Sequence, residues 1–176
     1  MQLLDIEGVN NLVGNSEKEA FHLELLDDYE SPGGDAPYRN WLAGGPEDDY
    51  AWFQDWLSLV RGMTSRGAVM RRVRVATVPL SDYQRWMLEV TFNNIDAGED
   101  IRYLPRHLAD AHRLGTDDWW LVDDAIVSFT LFDPAGNWVG GAVTTDPRIV
   151  DLCRQTRDYV WPMAIRYGEF QKSVSE

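Results

Sequence analysis

Apolar residues change their spacing several times along this chain, and each change marks an element. From Val69 to Thr77 the run Val-Met-Arg-Arg-Val-Arg-Val-Ala-Thr predicts a strand. Val69, Val73 and Val75 share one side, while Arg72 and Arg74 share the other, roughly 7 Å apart at strand spacing. Arg71 falls on the valine side. If that side is buried, Arg71 needs a carboxylate, because an unpaired buried charge is very costly. Glu99, Asp100 and Asp118 are the expected partners. Upstream, Gly44-Gly-Pro-Glu-Asp-Asp49 opens a predicted helix with acids in its first turn, where the helix dipole prefers them. Tyr50, Phe53, Leu57 and Val60 form one apolar stripe, Trp52, Trp56, Leu59 and Met63 form another, and Gly67 ends the helix. Aromatic stripes at helical spacing read as core.

The segment Tyr83–Asn94 fits both periods, and Ser81 as a helix N-cap favours a helix. A short strand follows around Ile101–Leu104, stopped by Pro105. Trp119–Val122, Ile126–Phe132 and Trp138–Val143 read as a three-stranded meander, turned at Asp123-Asp124 and at Asp133-Pro-Ala-Gly136. Asp146 and Pro147 start the last helix, which Pro162 kinks or ends. Near the N-terminus, Ala20–Leu26 alternates in part, with Phe21, Leu23 and Leu25 on one side, and Ser31-Pro-Gly-Gly-Asp35 has a turn composition. Residues 1–18 read as a loosely ordered N-terminus, 19–170 as one globular domain and 171–176 as a tail. The predicted fold is a single mixed β-sheet flanked by helices, α/β or α+β.

Composition narrows the function more than the fold. At 44% apolar residues, with eight tryptophans, the chain has ample material for a core. A lone Cys153 excludes an internal disulfide and any cysteine-based zinc site, which agrees with a reducing, cytoplasmic setting. No apolar run approaches the roughly 20 residues of a membrane span, so no membrane association is expected. The net charge of −13 repels nucleic acid at long range, so direct nucleic-acid binding is not expected. That charge is uneven: up to residue 60, acids far outnumber Lys18 and Arg39, whereas every charged residue in 61–74 is an arginine.

Catalytic chemistry finds little purchase. His107 and His112 are not at helical metal-pair spacing, and His22 stands in an apolar segment, so all three read as surface or satisfied-core histidines. No nucleophile elbow, phosphate-binding loop or dinucleotide fingerprint occurs. No catalytic residue, metal ligand or cofactor is assigned. The Asp123-Asp124 pair reads as a solvated hairpin turn. The candidate ligand-binding set is Arg72, Arg74, Glu99, Arg102, Asp118 and Trp119. A buried network of Arg71, Arg102, Glu99 and Asp118 that holds the sheet together is the structural alternative for part of it.

The set Phe21-His-Leu-Glu-Leu25, Trp41-Leu-Ala-Gly-Gly45, Arg71-Arg-Val-Arg-Val75, Pro79-Leu-Ser-Asp-Tyr83, Ala97-Gly-Glu-Asp-Ile-Arg102, Asp117-Asp-Trp-Trp-Leu-Val-Asp-Asp124 and Phe132-Asp-Pro-Ala-Gly136 spans nearly the whole chain. It resembles a family of small proteins of unknown function from high-GC Gram-positive bacteria, often encoded beside helix-turn-helix regulators. The use of arginine over lysine agrees with that origin. The rhythm of strand, helix, strand and meander is also similar to one half of a phospholipase D-type domain. Catalysis in that fold uses a His and a Lys two residues apart. Lysine occurs here only at Lys18 and Lys172, each without that His, so the resemblance implies a catalytically empty version.

The leading expectation is a non-enzymatic regulatory or ligand-sensing domain that works with a protein partner, such as a helix-turn-helix regulator; a second copy of this chain is a further candidate partner. The first alternative is an enzyme acting on a phosphate- or carboxylate-bearing small molecule through Arg72 and Arg74. The second treats the acidic surface as a DNA mimic.

Overall fold

A computed structural model describes residues 1–29 and 36–174. In chain order the elements are β1 (Gln2–Leu4), α1 (Ile6–Gly14), β2 (Glu19–Glu24), α2 (Ala36–Leu42), α3 (Gln54–Ser65), β3 (Val69–Ala76), α4 (Asp82–Asp96) and β4 (Glu99–Pro105). There follow α5 (Ala111–Leu114), β5 (Trp119–Val122), β6 (Ile126–Phe132), β7 (Trp138–Thr144), α6 (Pro147–Met163), β8 (Ile165–Arg166) and α7 (Tyr167–Val174). The strands form one mixed sheet in the order β1-β7-β6-β5-β2-β3-β4-β8. Its centre, β2-β3-β4, is parallel, and both flanks are antiparallel. Parallel neighbours need crossovers, and α3 and α4 lie on those connections. No described helix is long and apolar enough to cross a membrane.

The period-two pattern decides the two faces. Phe21, Leu23, Val73, Val75, Trp119 and Leu121 point to one face and pack under α6 through Val150, Cys153 and Val160. Each fully buried side chain of this kind contributes about 1.5–3 kcal/mol. On the opposite face, Ala20, Met70 and Trp120 meet α1 and α3 through Val9, Val13, Leu57 and Met63. Further along it, Tyr103 stacks on Phe170 of α7. Between these two apolar clusters the same face carries His22, Glu24, Arg72 and Arg74, all buried.

Several sequence expectations need correction. Residues 1–18 contain β1 and α1 where a loose segment was expected; Asp5 caps α1 at Gly8 N (2.8 Å), and Val9 and Val13 bury its inner side. At the other end, α7 runs through Val174, into the expected tail. The helix expected from Gly44 starts as α3 only at Gln54, after a short 3-10 turn over Ala51–Phe53. Tyr50 is left-handed (φ 54°), which breaks the helix there. The ambiguous segment after Ser81 is helix α4, and the Ser81 side chain accepts from Gln84 N at 3.1 Å. The Ser31–Asp35 turn lies outside the described residues.

Asp123 and Asp124, with Ala125, form the tight β5–β6 turn, and both aspartates have positive φ. Asp123 is not simply solvated: it accepts the backbone N–H groups of Glu17, Lys18 and Glu19 at 2.7–3.0 Å, which ties the start of β2 to the turn. At the far edge, a side chain on Gly140 would put its Cβ 2.1 Å from the Leu4 carbonyl oxygen, so β1 can lie on β7 only because Gly140 has none.

Candidate functional site

Arg71 is paired as expected, but with Glu19 at 2.6 Å rather than with Glu99, Asp100 or Asp118. In the parallel register Glu19 lies opposite Val69, two residues from Arg71 on the same face. Glu99 and Asp118 are on the other face. Asp100 sits 3.5 Å from Arg102, and that guanidinium stacks 3.7 Å from the Trp161 ring centre. Trp119 packs against Phe21 under α6. The six candidate residues therefore split: Arg72, Arg74, Glu99 and Asp118 come together on the face toward α3 and α4, while Arg102 and Trp119 belong to the α6 side.

The first group surrounds a chain of buried charges. Register sets His22 opposite Arg72 and Glu24 opposite Arg74. Arg72 donates to Glu24 and, at 2.6 Å, to Glu99; Arg74 donates to Glu24 at 2.5 Å and to Thr91 Oγ1 at 2.7 Å. Asn94 of α4 donates to the second Glu99 oxygen at 2.7 Å. Burial by itself would raise the Glu24 carboxyl, but the flanking Arg72 and Arg74 outweigh it and hold it well below the usual carboxylate range. Burial likewise opposes charge on Arg74, and Glu24 more than offsets it, so Arg74 stays cationic. Two arginines thus share two carboxylates, and Arg74 Nη1 donates further to the Thr91 and Tyr103 hydroxyls.

A cavity of about 290 Å³ opens over this floor, just under the roughly 300–1,000 Å³ typical of small-molecule sites. Aromatic side chains wall it. Trp52 stacks on Trp86 at 5.9 Å, and Tyr29 lies 5.9 Å from Phe132 and 6.0 Å from Tyr83. His22 stacks on Trp120 at 4.1 Å. Its Nδ1 is 3.4 Å from Glu24 Oε1, yet neither ring nitrogen has a hydrogen-bond partner among the described residues. Burial first, then the charge of Arg72, lowers the imidazole well below its usual value, so the ring is neutral. His22 is thus neither a surface nor a satisfied-core histidine, whereas His107 and His112 are exposed.

Asp118 also lines the cavity. Its oxygens accept from Leu25 N at 2.7 Å and from Tyr29 OH at 2.6 Å. Burial pushes its carboxyl up to about 6, against the Tyr29 hydrogen bond. Cys153 lies across the sheet in the opposite core, where burial pushes the thiol up to about 12 and removes its nucleophilic form. Among the described residues, no three His, Cys, Asp or Glu side chains converge as a metal cluster.

The sequence reading missed His22, Glu24, Tyr29, Gln84 and Asn94. A signal for the first two was present: β2 alternates Phe21, Leu23 and Leu25 with His22 and Glu24, an unusual pair of polar residues inside a buried strand. Tyr29, Gln84 and Asn94 reach the cavity from a loop and from α4, which no local pattern announces.

Two solved structures share this architecture. A phospholipase D family member, Nuc from Salmonella typhimurium, superposes with a TM-score of 0.55 at 11% identity, covering 90% of this chain and 88% of that one. NucT from Helicobacter pylori gives a TM-score of 0.54 at 9% identity, covering 94% and 97%. At such identities the likeness is one of fold: a phospholipase D-like sheet with its helices. No curated protein matches the sequence significantly. The family described as "Domain of unknown function (DUF6879)" matches residues 7–172, and the chain belongs to that family.

Proposed function

We propose that this domain is a small-molecule sensor: it binds a ligand in the cavity above His22 and Arg72, does not turn it over, and reports the bound state to a protein partner. The observation that carries this reading is the cavity itself, aromatic-walled and holding buried polar atoms that the described residues leave unpaired. Such atoms each cost about 1–3 kcal/mol until something bonds them. The chemistry at hand is poor for turnover. His22 is neutral and neither of its ring nitrogens is hydrogen-bonded among the described residues, and the only thiol is buried across the sheet. The partner, a helix-turn-helix regulator in a reducing cytoplasm, is supported by the family resemblance and by the single cysteine.

The competing reading is an enzyme acting on a phosphate- or carboxylate-bearing molecule at Arg72 and Arg74. The approach of His22 to Glu24 favours it. Charge opposes it: both arginines are already neutralised by Glu24 and Glu99, so an incoming anion would have to displace a carboxylate.

The test is thermal unfolding of the purified chain against a fragment library of cations, neutral compounds and anions, together with turnover of a generic phosphodiester with and without divalent metal. Fragments that raise the midpoint for wild type but not for Met87→Trp, which fills the cavity, support the reading; at a hundredfold excess over Kd the gain is about 2.7 kcal/mol. A library without any binder, or phosphodiester turnover that disappears in His22→Asn, overturns it.

A further inference from the structure

We infer that the ligand is a small, flat organic cation that donates hydrogen bonds, with an amidinium- or aryl-ammonium-type head seated at Asp118 and Gln84. This rests on the reading that the cavity binds a small molecule, and it follows from three features of the cavity lining.

The first is the direction of the missing hydrogen bonds. Asn94 donates its amide nitrogen to Glu99, and Gln84 donates its amide nitrogen to the Leu26 carbonyl at 3.3 Å. Both of those partners can only accept, so the two amide orientations are fixed. The atoms left over, Asn94 Oδ1 and Gln84 Oε1, are therefore acceptors, and neither has a partner among the described residues. Their residues are 1% and 2% exposed. A ligand that satisfies Gln84 must donate; Asn94 lies ten residues, about 15 Å, further along α4, beyond the same head group.

The second feature is charge. Glu24 and Glu99 are matched by Arg72 and Arg74, but among the described residues Asp118 receives only a backbone N–H and a phenol. Asp118 is 3% exposed and is faced by Glu24, Asp117 and Tyr29, none of them cationic. A buried carboxylate without a counterion is costly, and a ligand cation supplies the counterion that the described residues do not. An anionic ligand would add to the excess negative charge.

The third feature is the wall. Indole and phenol faces attract cations held over them, Trp most strongly. Trp52, Trp86 and Tyr83 are clustered, with Tyr83 at 5.6 Å and edge-on to Trp86, beside the polar end formed by Gln84 and Asp118. A flat frame would lie against this wall with its head on Asp118 and Gln84.

Three probes of matched shape separate the possibilities: benzamidine, benzamide and benzoate, titrated at millimolar concentrations into the full chain. Tryptophan fluorescence and the thermal midpoint are read together. Benzamidine should bind, benzamide about tenfold or more weakly, since a charge-assisted hydrogen bond is lost, and benzoate not at all. Asp118→Asn should weaken benzamidine about tenfold or more, and so should Gln84→Met, which keeps the shape and serves if the first variant does not fold. Because the cation binds ionised Asp118, affinity should fall roughly tenfold per pH unit below about 6. Benzamide or benzoate binding as well as benzamidine, or benzamidine binding unchanged in both variants, overturns the cation while leaving the sensor reading intact. No response to any probe also overturns the cation, and the fragment library then decides the wider reading separately.

Discussion

Glu24→Gln is the sharpest test of the buried charge chain. The carboxylate of Glu24 accepts from both Arg72 and Arg74, and the side chains involved are 11%, 8% and 5% exposed. Replacing it with an amide leaves Arg72 with Glu99, but strips Arg74 of its only carboxylate among the described residues, leaving Thr91 and Tyr103 hydroxyls. Removing one member of a buried pair costs about 3–5 kcal/mol, because a charge stays buried without its counterion. Against a total stability of about 5–15 kcal/mol, that is a large fraction. For a domain of this size, each kcal/mol moves the midpoint about 2–4 °C, so Tm should fall by roughly 6–20 °C. Chemical denaturation gives the free-energy difference directly. The double variant Glu24→Gln, Arg74→Met should recover part of the loss, since it removes the orphaned charge. A Glu24→Gln protein within about 0.5 kcal/mol of wild type would refute the view that these charges depend on one another.

Two further predictions test the same reasoning elsewhere. Asp118 has a folded-state carboxyl raised to about 6 from an ordinary 3.8, so the native state holds its proton more tightly than the unfolded chain. Its sign is therefore the reverse of a salt-bridged acid: in the free protein, stability falls as pH rises between about 4 and 6, by about 3 kcal/mol, and Asp118→Asn should remove that slope in urea melts taken at each pH. Glu24 acts in the opposite sense, since its depressed carboxyl contributes stability that is lost as pH falls below about 4.5, so the two slopes must be separated by the variant. Ser81→Ala removes the cap on α4 and should cost about 1 kcal/mol by denaturant titration; no change would mean that the start of α4 is held by its packing instead.

Local sequence by itself determined β3, the meander β5-β6-β7, the caps of α4 and α6, and the opposition of Val73 and Val75 to Arg72 and Arg74. These follow from period and from cap chemistry within a few residues, and no distant contact competes with them. It did not determine α1, a nine-residue helix with two buried residues, which is held by packing on α3 and β7 rather than by its own pattern. The site was half legible. Arg72, Arg74, Glu99 and Asp118 stood out as charges on strands, but alternation says only that two residues share a face, not what lies across from it. The parallel register of β2 on β3 decided that Glu24 sits between the two arginines, while neither His22 ring nitrogen has a hydrogen-bond partner among the described residues, and the placement of α4 decided that Gln84 and Asn94 line an aromatic cavity. Arg102 and Trp119 fell to the opposite face for the same reason. A strand fixes its own parity, whereas its neighbours and the helix laid over it are chosen by the burial of the whole sheet.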